Sequence, residues 1–178
     1  AVVGAAREEI DTGRLAAIAA DMGEMLRRTA LSTNVKERLD FSCAILDADG
    51  QLIVNAPHIP VHLGALGVCV RRVAETRSLE PGDVVVTNHP GFGGSHLPDV
   101  TLITPVFTVE PSGNSALIAY VACRAHHAEI GGTRPGSMPT DARCLAEEGV
   151  VIPPMHLLRR GKEQWSSIEL LLRGSPYP

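Results

Sequence analysis

The chain has 178 residues, 44% hydrophobic and 20% charged, with a formal net charge of −4. This is the composition of one compact globular domain or a large piece of one. It excludes two partner classes: no basic run neutralises a nucleic-acid backbone, and no apolar run reaches the ~18 residues that span a bilayer. Aromatic residues make up only 3%, so the core must be built from aliphatic side chains. Arg27-Arg28, Arg71-Arg72 and Arg159-Arg160 are isolated pairs, read as solvated faces or local ion pairs.

In chain order, Leu15, Ile18, Met22, Met25, Leu26 and Thr29 recur at three- and four-residue spacing and predict an amphipathic helix, with Asp11 or Thr12 as its N-cap. A polar turn covers residues 32–40. Phe41 to Leu46 reads as a strand, Asp47-Ala48-Asp49-Gly50 as a turn, and Gln51 to Asn55 as the returning strand of a hairpin. His58 to Gly64 reads as a loop, because Pro57 and Pro60 oppose a helix. Leu66, Val70, Val73 and Ala74 mark a second helix. Pro81-Gly82-Asp83 is a turn, and Val84 to Thr87 is a short buried strand. Val100 to Val109 and Ala116 to Ala125 predict a long antiparallel hairpin. Beyond it, a short helix is expected within 141–148, a strand at 150–152 and the start of a helix at 168–172. The fold class is α/β or α+β, a mixed sheet with antiparallel hairpins and flanking amphipathic helices.

Four cysteines, Cys43, Cys69, Cys123 and Cys144, lie far apart with no CxxC pair. Three have apolar surroundings and read as buried thiols of a reducing cytoplasm, and a zinc finger is unsupported. The start, Ala1-Val2-Val3-Gly4, has no signal-peptide pattern. The missing initiator Met and the loop-like end at 174–178 read as marks of a fragment or a trimmed product.

The chemistry concentrates in two glycine-rich turns. One runs Asn88-His89-Pro90-Gly91-Phe92-Gly93-Gly94-Ser95-His96-Leu97-Pro98-Asp99. The other runs Arg124-Ala125-His126-His127-Ala128-Glu129-Ile130-Gly131-Gly132. The long hairpin between them brings both turns to one end. His96 and Asp99 lie three residues apart around a proline, so both can face one point. A third donor from His126 or His127 would complete a facial His/His/carboxylate set, suited to Mn, Fe or Zn. The bland alternative is a structural His–Asp hydrogen bond. Adjacent histidines on extended chain point to opposite faces, so only one of the two is a ligand. His58 and His62 read as loop histidines lining a pocket. His89 is extended ahead of Pro90, binding substrate or capping a turn. His156 reads as structural. Asp40, Glu37 and Lys36 form a solvated loop or an edge of the site. No Walker loop and no GxSxG elbow is present.

Several stretches together resemble the hydantoinase B / 5-oxoprolinase family. They are residues 32–44, Asn55-Ala56-Pro57-His58-Ile59-Pro60-Val61-His62-Leu63-Gly64, residues 88–99, His126-His127-Ala128-Glu129-Ile130-Gly131-Gly132 and Pro135-Gly136-Ser137-Met138-Pro139. Glu129 departs from the Asp of the family pattern. The resemblance implies that residues 1–178 are one domain, or the N-terminal part of a longer hydantoinase B-type domain. It implies the catalytic half of an ATP-dependent cyclic-amide hydrolase that opens 5-oxoproline or hydantoin rings. ATP would be used by a hydantoinase A-type partner subunit or domain. The alternatives are a subunit of an ATP-dependent ketone carboxylase and a non-catalytic interaction fragment. A divalent metal (Mn, Zn or Fe) is expected on His96, Asp99 and His126. Catalytic roles are expected for His58, His62, His89 and His127. Asn88, Gly93, Gly94, Gly131 and Gly132 are expected to bind substrate or phosphate, with glycine N–H groups stabilising an oxyanion.

Overall fold

The computed structural model describes residues 2–56, 60–109, 113–136 and 139–175. Helix α1 (Val2–Thr29) is followed by the single turn α2 (Thr33–Lys36) and strands β1 (Phe41–Asp47) and β2 (Leu52–Ala56). Helix α3 (Pro60–Thr76) leads to β3 (Val84–Thr87), a 3-10 turn at Pro90–Phe92, and the long strands β4 (Asp99–Val109) and β5 (Ser115–His126). The turn α4 (Leu145–Glu148), strands β6 (Met155–Arg159) and β7 (Lys162–Glu163), and helix α5 (Trp165–Arg173) complete the order.

The seven strands form one sheet in the order β2-β1-β5-β4-β3-β6-β7. Every paired neighbour is antiparallel, so of the two fold-class alternatives the α+β arrangement holds. Side chains alternate between the faces, as strand geometry requires. Ala44, Leu46, Val85, Ile103 and Ala122 pack against Leu66, Cys69, Val70 and Val73 of α3. On the opposite face Phe41, Cys43, Ile45 and Ala125 meet Ala19, Leu15, Met22 and Leu26 of α1. Val86, Val100 and Leu102 continue that second face beneath Ile168, Leu171 and Leu172 of α5. Among the described residues, no helix is long and apolar enough to cross a membrane.

Four expectations need correction. Helix α1 begins at Val2, so Asp11 and Thr12 lie inside it. No proline interrupts the segment, and Asp11 bridges Arg7 and Arg14 at 4.0 and 3.9 Å along an exposed face. The polar turn after α1 contains the helical turn Thr33–Lys36. Helix α3 begins at Pro60 rather than after Gly64. Proline is favoured at a first helical position, where its missing N–H has no acceptor to lose. His62 therefore stands on a helix. Finally, residues 150–152 are not a strand, and the strand pair β6–β7 stands beyond them. That pair turns through Arg160 (φ 50°) and Gly161 (φ 75°), both left-handed. An arginine in this conformation hides the usual hairpin signature of two φ-tolerant residues.

Candidate active site at the open end of the β4–β5 hairpin

Antiparallel pairing brings three chain segments to one sheet end. Asp99, the first residue of β4, is in register with His126, the last of β5. The His126 N–H donates to the Asp40 carbonyl at 2.9 Å, which adds the lead-in to β1 as a third member of the row. One step inside, Thr101, Arg124 and Ser42 form the next row on the same face. The first turn of α3 covers this polar end with His62.

The side chains make a connected cluster. His126 Nδ1 and Asp99 Oδ1 are 2.7 Å apart, with Asp99 fully buried and His126 6% exposed. His62 Nε2 lies 3.7 Å from Asp99 Oδ2 and 4.0 Å from Asp40 Oδ1. These are ion-pairing distances, beyond hydrogen-bond reach. Ser42 Oγ sits 3.3 Å from His62 Nδ1, which orients the ring. The His96 ring stands edge-on to that of His126, with centroids 6.3 Å apart.

Electrostatics follow from this geometry. Hydrogen bonding to Asp99 outweighs burial and raises the His126 pKa. Burial by itself would raise Asp99, but the His126 hydrogen bond and the charges of His62 and His126 hold it below the ordinary carboxylate value. Burial lowers His62, assisted by the Arg124 charge and opposed by Asp99. Asp99 is thus an anion at neutral pH, and it leaves His126 Nε2 as the nitrogen that exchanges protons. This is the orienting-carboxylate and base pairing of general acid–base sites.

Asp99 Oδ2 is buried and, among the described residues, accepts no hydrogen bond. A buried carboxylate oxygen of this kind suits a cation, and oxygen and imidazole donors suit Mn, Zn or Fe. Yet among the described residues no three His, Cys, Asp or Glu side chains are gathered as a metal cradle.

The other expected site residues are distributed as follows. His58 lies outside the described residues. His127 points to the opposite face and lines an apolar cavity of about 400 Å³ with Val100, Ala125 and Trp165. The alternation of β5 thus separates the two histidines, and His127 does not join the Asp99 cluster. His89 caps the 3-10 turn: its Nδ1 accepts from the Gly91 N–H at 2.9 Å, and its ring stacks edge-on to Phe92. Asn88 is fully engaged with the backbone, donating to Leu97 O (2.7 Å) and Val150 O (2.8 Å) and accepting from Ile152 N–H (2.7 Å). No polar atom of that amide is left to bind substrate. The N–H groups of Gly93 and Gly94 donate to Pro90 O (3.1 Å) and His89 O (3.3 Å), so in this conformation neither is directed at an oxyanion. Gly94 has a packing reason instead, because a Cβ there would collide with the Asn88 carbonyl. Gly131 and Gly132 line a different pocket, with Pro135, Leu172 and Arg173.

Arg124, Ser42 and the full role of Asp40 escaped the sequence reading. For Arg124 a signal existed. It lies between Ala122 and His126 at alternate positions of a strand whose neighbours are aliphatic, so a charged residue there must face inward. His156, read as structural, pairs with Asp83 at 3.3 Å on the far side of β3.

The placement of His127 carries a pH signature. Burial lowers its pKa. Below its unfolded value of about 6.5 the unfolded chain binds a proton that the folded chain resists, so the wild type loses stability as pH falls through that range. His127→Leu removes this loss. Its advantage in unfolding temperature is expected to be larger at pH 5.5 than at pH 7.5 by circular dichroism. A gap that is constant with pH would show that His127 is solvated.

The sequence profile of the Hydantoinase B/oxoprolinase family matches residues 6–178. The 5-oxoprolinase of Saccharomyces cerevisiae is 51% identical over 165 residues, which cover 90% of this chain and 12% of that protein. 5-Oxoprolinase 1 of Arabidopsis thaliana is 50% identical over 162 residues, with 90% and 12% covered. The caprolactamase subunit beta of Pseudomonas jessenii is 32% identical over 162 residues, covering 90% of this chain and 27% of the subunit. Among solved structures, acetone carboxylase without nucleotide superimposes with a TM-score of 0.79 at 21% identity, covering 93% of this chain and 22% of that one; it shares the fold. The ATP-dependent caprolactamase of P. jessenii superimposes with a TM-score of 0.68 at 29% identity, covering 92% and 28%. The chain therefore spans about an eighth of the 5-oxoprolinases and about a quarter of the caprolactamase subunit. With nearly every residue inside the family profile and half of them shared with 5-oxoprolinases, the chain belongs to the Hydantoinase B/oxoprolinase family.

Proposed function

We propose that this chain is the hydrolytic portion of an ATP-dependent cyclic-amide hydrolase whose substrate is 5-oxoproline or a related lactam or hydantoin. The observation that carries the reading is the buried Asp99–His126 pair at 2.7 Å, in a chain half-identical to 5-oxoprolinases. An unactivated amide resists water, so ATP must first make its oxygen a leaving group. The ATP-using step belongs to a hydantoinase A-type subunit or domain. This fits the caprolactamase relative, which is itself one subunit of an ATP-dependent enzyme.

Water attacking the activated carbonyl carbon must lose a proton, which His126 accepts at Nε2. Asp99 balances the imidazolium so formed. The imidazolium returns that proton to the ring nitrogen as the C–N bond breaks, which leaves an acyl phosphate; a second water, deprotonated in the same way, displaces phosphate from it and completes the carboxylate. His62, held neutral by burial and oriented by Ser42, lines the opposite wall of the cluster. The alternative role of the cluster is to hold a divalent ion (Mn, Zn or Fe) through Asp99, His96 and His126, supported by an Asp99 Oδ2 that accepts no hydrogen bond among the described residues. The ion would supply Lewis acidity toward water and would take the His126 Nε2 that proton transfer uses, so the two roles exclude each other.

The test is phosphate release by the whole enzyme with ATP, with and without bicarbonate. Release that requires 5-oxoproline, yields the ring-opened amino acid and ignores bicarbonate is the expected result. Release that strictly requires bicarbonate and a ketone, or no release with any lactam or hydantoin, rejects it.

A further inference from the structure

We infer that Arg124 is a positioning residue of this site: its guanidinium fixes the turn that carries His96 against the strands that carry Asp99 and His126. The inference rests on the hydrolytic reading above. Arg124 is fully buried. Its Nη2 donates to Gly93 O at 3.0 Å and its Nη1 to Ser95 Oγ at 3.2 Å, both in the turn just before His96. Its Nε donates to Thr101 Oγ1 at 2.8 Å, two residues along β4 from Asp99. Arg124 itself precedes His126 by two on β5 and shares its face. One planar side chain thus ties together the backbone supports of three members of the cluster.

The chemistry of the choice is informative. None of the ion pairs among the described residues includes Arg124. Burying a cation without a carboxylate is unfavourable, and an apolar side chain of similar volume is often the more stable filler. What the guanidinium gains is three charge-assisted bonds to neutral oxygens in fixed directions. A lysine keeps the charge as a single point on a flexible stem and cannot reproduce the fork. The turn it holds runs over the surface, with Ser95 exposed. Asn88 pins the far side of the same connection through Leu97 O. Without Arg124, the stretch from Gly93 to Ser95 loses the two hydrogen bonds that tie it to β5.

The test uses the whole enzyme with ATP and 5-oxoproline and compares Arg124→Lys, Ser95→Ala, the double variant and Asp99→Asn. Misplacing reacting groups by about 1 Å costs on the order of 100-fold, so Arg124→Lys is expected to lower kcat about 100-fold with KM within about threefold. Ser95→Ala is expected to lower kcat by roughly three- to tenfold beside Arg124 and to add nothing beside the lysine, because the bond it removes is already gone. Wild-type kcat per folded enzyme in Arg124→Lys overturns the inference, as does a Ser95→Ala effect of equal size in both backgrounds. Should Arg124→Lys fail to fold, Ser95→Ala decides alone, since wild-type kcat there also overturns it. Asp99→Asn keeps the two ideas apart. If it is inactive while Arg124→Lys is active, only the positioning role fails. If it is fully active, the hydrolytic reading itself fails.

Discussion

Asp99→Asn in the whole enzyme is expected to lower turnover of 5-oxoproline by roughly 10²–10⁴-fold, the usual contribution of a positioned acid–base group. Asparagine has the same size and keeps a polar contact with His126 Nδ1, 2.7 Å away in the wild type, so the change removes charge rather than shape. Two effects follow. The anion that raises the His126 pKa is gone, so the base weakens. The imidazolium formed during proton transfer also loses its counter-charge. Stability should fall modestly as well. The His126 hydrogen bond and the charges of His62 and His126 outweigh burial and hold Asp99 below the ordinary carboxylate value, so its charged form stabilises the fold at neutral pH. A loss of activity far larger than the drop in unfolding temperature accounts for is the pattern expected of a group that acts in the chemistry. Wild-type turnover in folded Asp99→Asn would sink the assignment. Elemental analysis of the same variant reads the alternative metal role: Mn, Zn or Fe bound near one per chain in the wild type and lost in the variant would favour it.

Asn88→Asp should be strongly disruptive, to folding rather than to chemistry. The Asn88 amide nitrogen donates to two buried carbonyls, Leu97 O and Val150 O, while its oxygen accepts from Ile152 N–H. Aspartate keeps the acceptor. It replaces the double donor with a second oxygen, facing two carbonyl oxygens at 2.7 and 2.8 Å. Each buried group left without its partner costs about 1–3 kcal/mol, more where charge is involved, so a loss of about 4 kcal/mol or more is expected. Asn88→Ala leaves the same groups unpaired without adding repulsion and should be the milder change. Urea unfolding of the two variants checks the order. Equal stability of both with the wild type would mean that the three bonds are replaced by water.

Much of the sheet is legible in the sequence because its signals are local. Val84 to Thr87 is apolar and β-branched, Asp49-Gly50 marks a turn, and the alternating apolar residues of 100–109 and 116–125 give both the hairpin and the end at which its histidines gather. The register then pairs Asp99 with His126. The same alternation separates His126 from His127, although it cannot say which faces the carboxylate; that depends on which face α3 covers. The helix bearing His62 is hidden because proline reads as a breaker unless its position within the first turn is known. Asn88 and the Gly93-Gly94 pair look like ligand-binding residues because their types suit that role. Their actual partners, the backbone of residues 150–152 and the 3-10 turn, lie too far away in sequence or are too irregular to infer from spacing. Arg124 was available to the alternation argument and stands as the residue that a stricter reading of inward positions would have found.

The β4–β5 ladder keeps one unbroken register from Asp99↔His126 to Val106↔Ala119 and shifts only between Val106 and Phe107. The irregularity therefore sits far from the paired carboxylate and imidazole. Residues inserted or deleted at the hairpin tip, between Val109 and Ser115, can be absorbed beyond that slip point without sliding Asp99 past His126. The chain beyond that slip point is accordingly a place for a fluorescent label or an affinity tag that leaves the reacting end undisturbed.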